Sequence, residues 1–215
     1  STVESPGHAA KERQVLTYVG SFYQNRQPTD LIGSLARLVQ RGELDERRVC
    51  FQIVGALDHS NAWIHESSTR MLEKDGCLKI DNRIVSRDEA TRFMASSDYL
   101  LLLDLNEQTI PLQIPAKLYE IIQLGRPILA YTRRGSPTER VLRESGLPYQ
   151  IVTQEDSDDE KDRKVRCLFQ GPTVKRPPGD WFAHRFDGRD QVRKLAAILN
   201  HATKRREAQN AGTCR

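Results

Sequence analysis

The sequence predicts an α/β fold built on a doubly wound parallel sheet, and three observations carry that prediction. Short apolar runs of strand length recur along the chain. Stretches with apolar residues at helical spacing separate them. Glycines or polar loops close almost every run. Strands that alternate with helices imply right-handed crossovers and a parallel sheet. With 215 residues the chain is long enough for one domain with a full core. That domain is expected at 14–201, after a flexible N-terminal linker at 1–13 and before a mobile C-terminal tail at 202–215.

The elements follow in order. Val15 to Val19 reads as a first strand ending at Gly20. Pro28 opens a helix in which Leu31, Leu35 and Leu38 form one apolar face. Val49 to Val54 is a second strand, closed by Gly55. A weaker helical pattern uses Trp63, Ile64, Met71 and Leu72 and ends near Gly76. Leu78 to Ile80 is a short third strand. Ser86 has N-cap chemistry, and Glu89 three residues later completes a capping box for a helix reaching about Met94. Tyr99 to Asp104 is the most apolar run and so belongs at the centre of the sheet.

Pro115 then starts a helix that stops at Gly125 and passes into a strand at 126–131. Ser136 and Pro137 begin another helix, with Val141 and Leu142 turned inward and Gly146 ending it. Tyr149 to Val152 is a last short strand. Residues 155–166 are densely charged, acidic first and then basic, which suggests an exposed insert or a solvated helix. Val192, Leu195, Ala196 and Leu199 mark a C-terminal helix.

Composition excludes several function classes. The net charge of +4 comes from 33 basic and 29 acidic residues scattered along the chain. That pattern describes a solvated surface and no nucleic-acid stripe. No run approaches the roughly 18 apolar residues of a membrane helix, and the polar start has no signal-peptide core. Cys50, Cys77, Cys167 and Cys214 show no paired spacing, so a disulfide framework or zinc site is not expected and a reducing cytoplasm is the simplest setting. The histidines have no ligand spacing. Neither a G-x-x-x-x-G-K-[ST] loop nor a G-x-G-x-x-G after the first strand is present, which argues against P-loop NTPases and ordinary dinucleotide-binding enzymes.

The segment from Ile114 to Ala130 carries the functional signal. A loop ending in proline enters a helix, and a helix start presents free backbone amides that favour an anion. Glu120, just over one turn inside, can accept hydrogen bonds from neighbouring hydroxyls or pair with Lys117 at i, i+3. Phosphate beside a diol is what a nucleotide sugar offers.

This segment is one of an ordered series: Tyr18 to Arg26, Ile53 to Gly55, Asn82 to Ala90, Ser97 to Leu103, Ile114 to Glu120, and Pro127 to Ala130. The series resembles the C-terminal, donor-binding domain of a GT-B-fold retaining glycosyltransferase of the group 1, family 4-like branch, often used for bacterial surface polysaccharides. The resemblance implies a Rossmann-like domain. It implies that Gly20 and Ser21 approach the donor phosphates, that Arg26 neutralises them, and that Ile84 and Val85 hold the base through backbone groups. Pro115, Lys117 and Leu118 would then form the pyrophosphate-binding helix start, and Glu120 would take the ribose hydroxyls. The chain departs from the pattern at Ser21, where arginine is common, and at Arg83, where glycine is common. It departs again at Leu112, where an acid is usual, with Glu107 lying further back.

The resemblance further implies no metal and no cofactor beyond the nucleotide-diphosphate sugar as substrate. It leaves the catalytic residues unknown, and the acceptor domain of such enzymes lies N-terminal to this one. The chain therefore reads as half an enzyme, inactive alone, without an integral membrane segment and attached to a membrane at most peripherally through the parent protein. Two other readings stay open: half of a sugar-nucleotide 2-epimerase, and a non-enzymatic interaction or regulatory domain.

Overall fold

The structure, a computed structural model, describes residues 13–22, 27–58, 61–104, 113–171 and 173–212. Most of the leading linker, Arg26, Glu107 and Leu112 lie outside them. The first half runs β1 (Gln14–Val19), α1 (Thr29–Gln40), β2 (Val49–Val54), a 3₁₀ turn (Ala62–His65), α2 (Ser67–Lys74), β3 (Leu78–Asp81), α3 (Arg87–Ser96) and β4 (Tyr99–Leu103). The second half runs α4 (Ala116–Gln123), β5 (Ile128–Tyr131), α5 (Pro137–Glu144), β6 (Tyr149–Val152), α6 (Asp158–Gln170), α7 (Asp180–Arg185) and α8 (Gly188–Gly212).

The six strands form one sheet in the order β3-β2-β1-β4-β5-β6, all parallel. The doubly wound α/β architecture is as the alternation predicts. Helices cover both faces, because a parallel sheet has no face to leave wet. On one side Leu31 and Leu35 of α1, Leu72 of α2 and Leu168 of α6 pack with Leu101 and Leu103. On the other, Met94 of α3, Leu118 of α4, Leu142 of α5 and Phe182 of α7 pack with Leu100 and Leu102. β4 therefore buries every residue, which explains its unbroken apolar run.

The capping box of α3 forms as its sequence indicates. The Glu89 amide donates to Ser86 Oγ at 3.3 Å, and the Ser86 amide donates to the Glu89 carboxylate at 3.0 Å. The weak helical pattern after β2 divides into the 3₁₀ turn and α2, with Trp63 buried at the start. Arg13 anchors the start of β1, its guanidinium donating to the carbonyls of Val49, Glu46 and Gly76 at 2.6–2.9 Å.

The charged segment at 155–166 corrects the sequence reading. It is neither an exposed insert nor a solvated helix. Residues from Asp158 form α6, which lies on α1 and buries Lys161, Asp162, Val165, Leu168 and Phe169. Its charges are matched by partners distant in sequence. Asp162, 2% exposed, accepts from Arg37 at 2.9 and 2.7 Å and from Arg41 at 2.9 Å. Lys161 meets Asp30 at 3.1 Å, and Arg166 pairs with Glu43.

These contacts set an acid sensitivity. Burial works to raise the Asp156 carboxyl, but Lys164, the Thr153 amide and Arg134 outweigh it and bring it down to about 2. Burial likewise opposes the ionisation of Asp162, yet Arg37, Ser34 and Arg41 hold it below the usual carboxylate range. The Ser86 amide and Arg83 bring Glu89 down to about 2. A carboxyl depressed in the folded state contributes stability that is complete above its unfolded value and lost as pH falls through its folded value. Stability should therefore be flat above about pH 5 and fall steadily from about pH 4 to pH 2. Urea midpoints measured across that window test this, and a midpoint independent of pH there would contradict it.

Candidate functional site

β1 is the switch point of this sheet, since β2 and β4 flank it on opposite sides. Open α/β sheets bind ligands at the carboxyl ends of the strands beside such a point. Here the residues from Tyr18 to Gly20 leave β1 next to the end of β2, and the Gly20 amide donates to the Val54 carbonyl at 2.9 Å. Gly55 then passes very close. A Cβ on Gly55 would lie 2.1 Å from the Gly20 carbonyl oxygen, so only glycine fits. The Tyr18 hydroxyl donates to the Ser21 carbonyl at 3.1 Å, and its ring stacks on Phe22 at 4.6 Å. The turn is thereby fixed against the sheet.

These strand ends frame an open cleft of about 180 Å³. Gly20 and Ser21 line it from β1, Gly55 and Ala56 from β2, Ile84 and Val85 from the β3 loop, and Lys117 from α4. Five of the residues singled out from the sequence thus converge from separate positions along the chain. Ile84 is 87% exposed at the rim, whereas Val85 is partly buried and packs toward the core under α3. At this volume the cleft takes part of a ligand, below the roughly 300–1,000 Å³ of a whole small-molecule site.

The start of α4 faces this region, and among the described residues no side chain caps it. Pro115 is its N-cap residue, in extended conformation. The Leu118 amide donates to the Pro115 carbonyl at 2.9 Å, and the Leu118 side chain is fully buried. Ala116 and Lys117 therefore supply the uncapped amides at this helix end. Glu120 sits at the surface, 3.6 Å from both Lys117 and Arg87. Both are loose ion pairs of small net energy. Arg83 is engaged elsewhere, bound to Asp81 at 3.0 Å and Glu89 at 3.1 Å and lying 5.8 Å over the Phe93 ring. Arg26 lies outside the described residues.

Two features of this end of the sheet escape the sequence reading. Gly55 is legible there as the end of a strand and as part of the motif series, but its contact with Gly20 arises from the register that pairs Val19 with Val54. Asp104, at the end of β4, accepts from Thr132 at 2.8 Å and Thr138 at 2.6 Å in a buried polar cluster. No local spacing links those three residues.

No protein-family model matches the sequence, and no curated protein matches it. Solved structures do. The crystal structure of WaaG, a glycosyltransferase involved in lipopolysaccharide biosynthesis, superposes with a TM-score of 0.54 at 18% identity, over 75% of this chain and 39% of WaaG. A UDP-forming α,α-trehalose-phosphate synthase from Burkholderia vietnamiensis gives 0.54 at 13% identity, over 77% of this chain and 38% of that enzyme. The C-terminal domain of the group 1 glycosyl transferase LpcC from Francisella tularensis gives 0.51 at 9% identity, over 74% of this chain and 76% of that domain. The chain thus spans about two-fifths of the length of WaaG and the synthase. Its strand order, its switch-point cleft and these superpositions together establish the fold as that of the Rossmann-like domain of GT-B glycosyltransferases.

Proposed function

We propose that this domain is the donor-binding half of a glycosyltransferase that takes its sugar from a nucleotide-diphosphate sugar. The observation that carries the reading is the convergence of Gly20, Ser21, Gly55, Ile84, Val85 and Lys117 on one cleft at the switch point, beside an uncapped helix start. Backbone at Gly20 can approach a phosphate closely, because no side chain intervenes. The Lys117 ammonium and the α4 amides then supply positive charge where the leaving diphosphate gains negative charge, which is electrostatic stabilisation of the departing group. Ile84 and Val85 offer an apolar edge for the base, and Glu120 lies one turn further along α4 to accept from ribose hydroxyls. The resemblance gives Arg26, which lies outside the described residues, the remaining charge on the diphosphate, and with that charge balanced the proposed site calls for no metal.

Catalysis would require an acceptor-binding domain N-terminal to this one, with transfer in the cleft between them and retention at the anomeric carbon. WaaG's part in lipopolysaccharide biosynthesis supports a place in surface polysaccharide synthesis for the parent protein. Among the described residues no helix is long and apolar enough to cross a membrane. The unpaired spacing of the four cysteines supports a reducing cytoplasm as the setting of the domain.

Thermal melts with uridine, guanosine and adenosine diphosphates test the reading. Saturation at about 100 times the dissociation constant adds roughly 2.7 kcal/mol, a shift of several degrees at this size. Lys117→Ala and Glu120→Ala should each weaken the responding nucleotide about tenfold or more, as loss of a charged hydrogen bond does. No shift with any of the three, or full affinity in both variants, would refute the proposal.

A further inference from the structure

Lys117 faces the donor cleft, but two residues along α4 a second and larger cavity opens that the donor reading leaves unused. It measures about 520 Å³, within the size range of small-molecule sites. One wall is aromatic. Tyr119 of α4 meets Phe186 at 4.7 Å between ring centroids, and Trp181 of α7 meets Phe186 edge-on at 5.7 Å. Phe182, buried beneath, packs on Phe186 at 5.1 Å and on Tyr119 at 6.4 Å. The rings therefore hold one another in place, while Trp181 stays 37% exposed. A large aromatic surface left open inside a concavity is a ready platform for a ligand with an apolar face.

The other wall is cationic. Arg140 of α5 and Arg185 of α7 both line the cavity, and among the described residues no acidic one lines it with them. Among the described residues neither guanidinium has a carboxylate partner, whereas Arg37, Arg41, Arg83, Arg134 and Arg166 are all ion-paired. Two unneutralised positive charges brought to one concavity by different helices raise the local concentration of anions. Guanidinium forks match the oxygens of a phosphate or carboxylate bidentately.

We propose that this cavity binds a small anionic saccharide, a sugar phosphate or sugar acid, with its anionic group on Arg140 and Arg185 and its ring against Trp181. The anion and an apolar face follow from the cavity itself. The choice of a sugar among anions with such a face rests on the proposed glycosyl transfer. Because α4 carries Tyr119 on this side and Lys117 on the other, the site would stand beside the donor cleft without sharing a residue with it.

Calorimetric titration of the full chain tests this, with glucose 1-phosphate, glucuronate, glucose, inorganic phosphate and phenyl phosphate as probes. Glucose 1-phosphate or glucuronate should bind at least about tenfold more tightly than glucose or phosphate, because each of those offers half of the interaction. The double variant Arg140→Ala/Arg185→Ala should weaken that binding by about tenfold or more. Its melting temperature and its response to uridine diphosphate should stay as in the parent chain, and Lys117→Ala should leave the sugar anion bound. Trp181→Ala should weaken the saccharides more than inorganic phosphate. No binding of either sugar anion up to about 10 mM, equal affinity in the double arginine variant, or tighter binding of phenyl phosphate than of both saccharides would overturn the proposal. A nucleotide response that fails while arginine-dependent saccharide binding persists counts against the donor cleft alone and supports this site.

Discussion

Replacing Arg37 with alanine is expected to destabilise the domain by about 3 kcal/mol, near the lower end of what breaking a buried ion pair costs. The reason lies in what the change leaves behind. Asp162 is 2% exposed and takes two charged hydrogen bonds from Arg37, at 2.9 and 2.7 Å. Without Arg37 the carboxylate keeps Arg41, at 2.9 Å from the rim of the same groove, and the Ser34 hydroxyl to offset its burial. Arg37 itself is about one-third exposed, so in the native protein its desolvation is the smaller part of the cost.

The asymmetry provides a check. Adding Asp162→Asn to Arg37→Ala removes the stranded charge and should recover most of the loss, as seen in urea unfolding at neutral pH. Asp162→Asn alone should cost less than Arg37→Ala, since it leaves two arginines that can turn to water. The single Arg37 variant should also lose its excess acid sensitivity, because Asp162 then ionises less readily in the folded state. If Arg37→Ala costs under about 0.5 kcal/mol, the α1–α6 contact is an ordinary surface pairing.

This groove also shows where the sequence stops being informative. β4 is legible because a strand buried on both faces must be apolar at every position, and Tyr99 to Leu103 satisfies that locally. The α3 start is legible because Ser86 and Glu89 solve a problem contained in four residues. α6 is different. Its charges resemble a solvated run until Arg37, Arg41 and Asp30 are known to face them, and those partners stand more than a hundred positions away. α7 is six residues long, too short for periodicity to reveal. In α8, helical spacing predicts an element but not its environment, and Val192, Leu195, Ile198 and Leu199 are all more than half exposed.

The candidate site divides the same way. Gly20, Ser21, Ile84, Val85 and Lys117 are singled out in the sequence by the resemblance of an ordered motif series, and each follows a strand or opens a helix, positions that a parallel sheet gathers at one edge. The cavity behind α4 is not, because its arginines and aromatic rings come from α4, α5 and α7 with no common spacing.

Gly55→Val is expected to cost more than about 4 kcal/mol, the range reserved for exceptional single changes. At Gly55 φ is +156°, and a Cβ would meet the Gly20 carbonyl oxygen at 2.1 Å and its carbon at 2.7 Å. Both obstacles are backbone, so no side chain can rotate away. Relief requires the ends of β1 and β2 to separate, which breaks the bond from the Gly20 amide to the Val54 carbonyl. Gly42 separates clash from strain, since its φ is +68° and a Cβ there would meet nothing within 4 Å. Gly42→Ala should therefore cost only the roughly 1–2 kcal/mol of a left-handed residue. The same displacement moves Gly20 and Ser21 across the mouth of the cleft. Gly55→Ala, the milder change, should then lose nucleotide response at temperatures where circular dichroism shows it folded, while saccharide binding behind α4 persists. Retention of both full stability and nucleotide response in Gly55→Ala would show that the two strand ends part freely, and that the cleft does not depend on their contact.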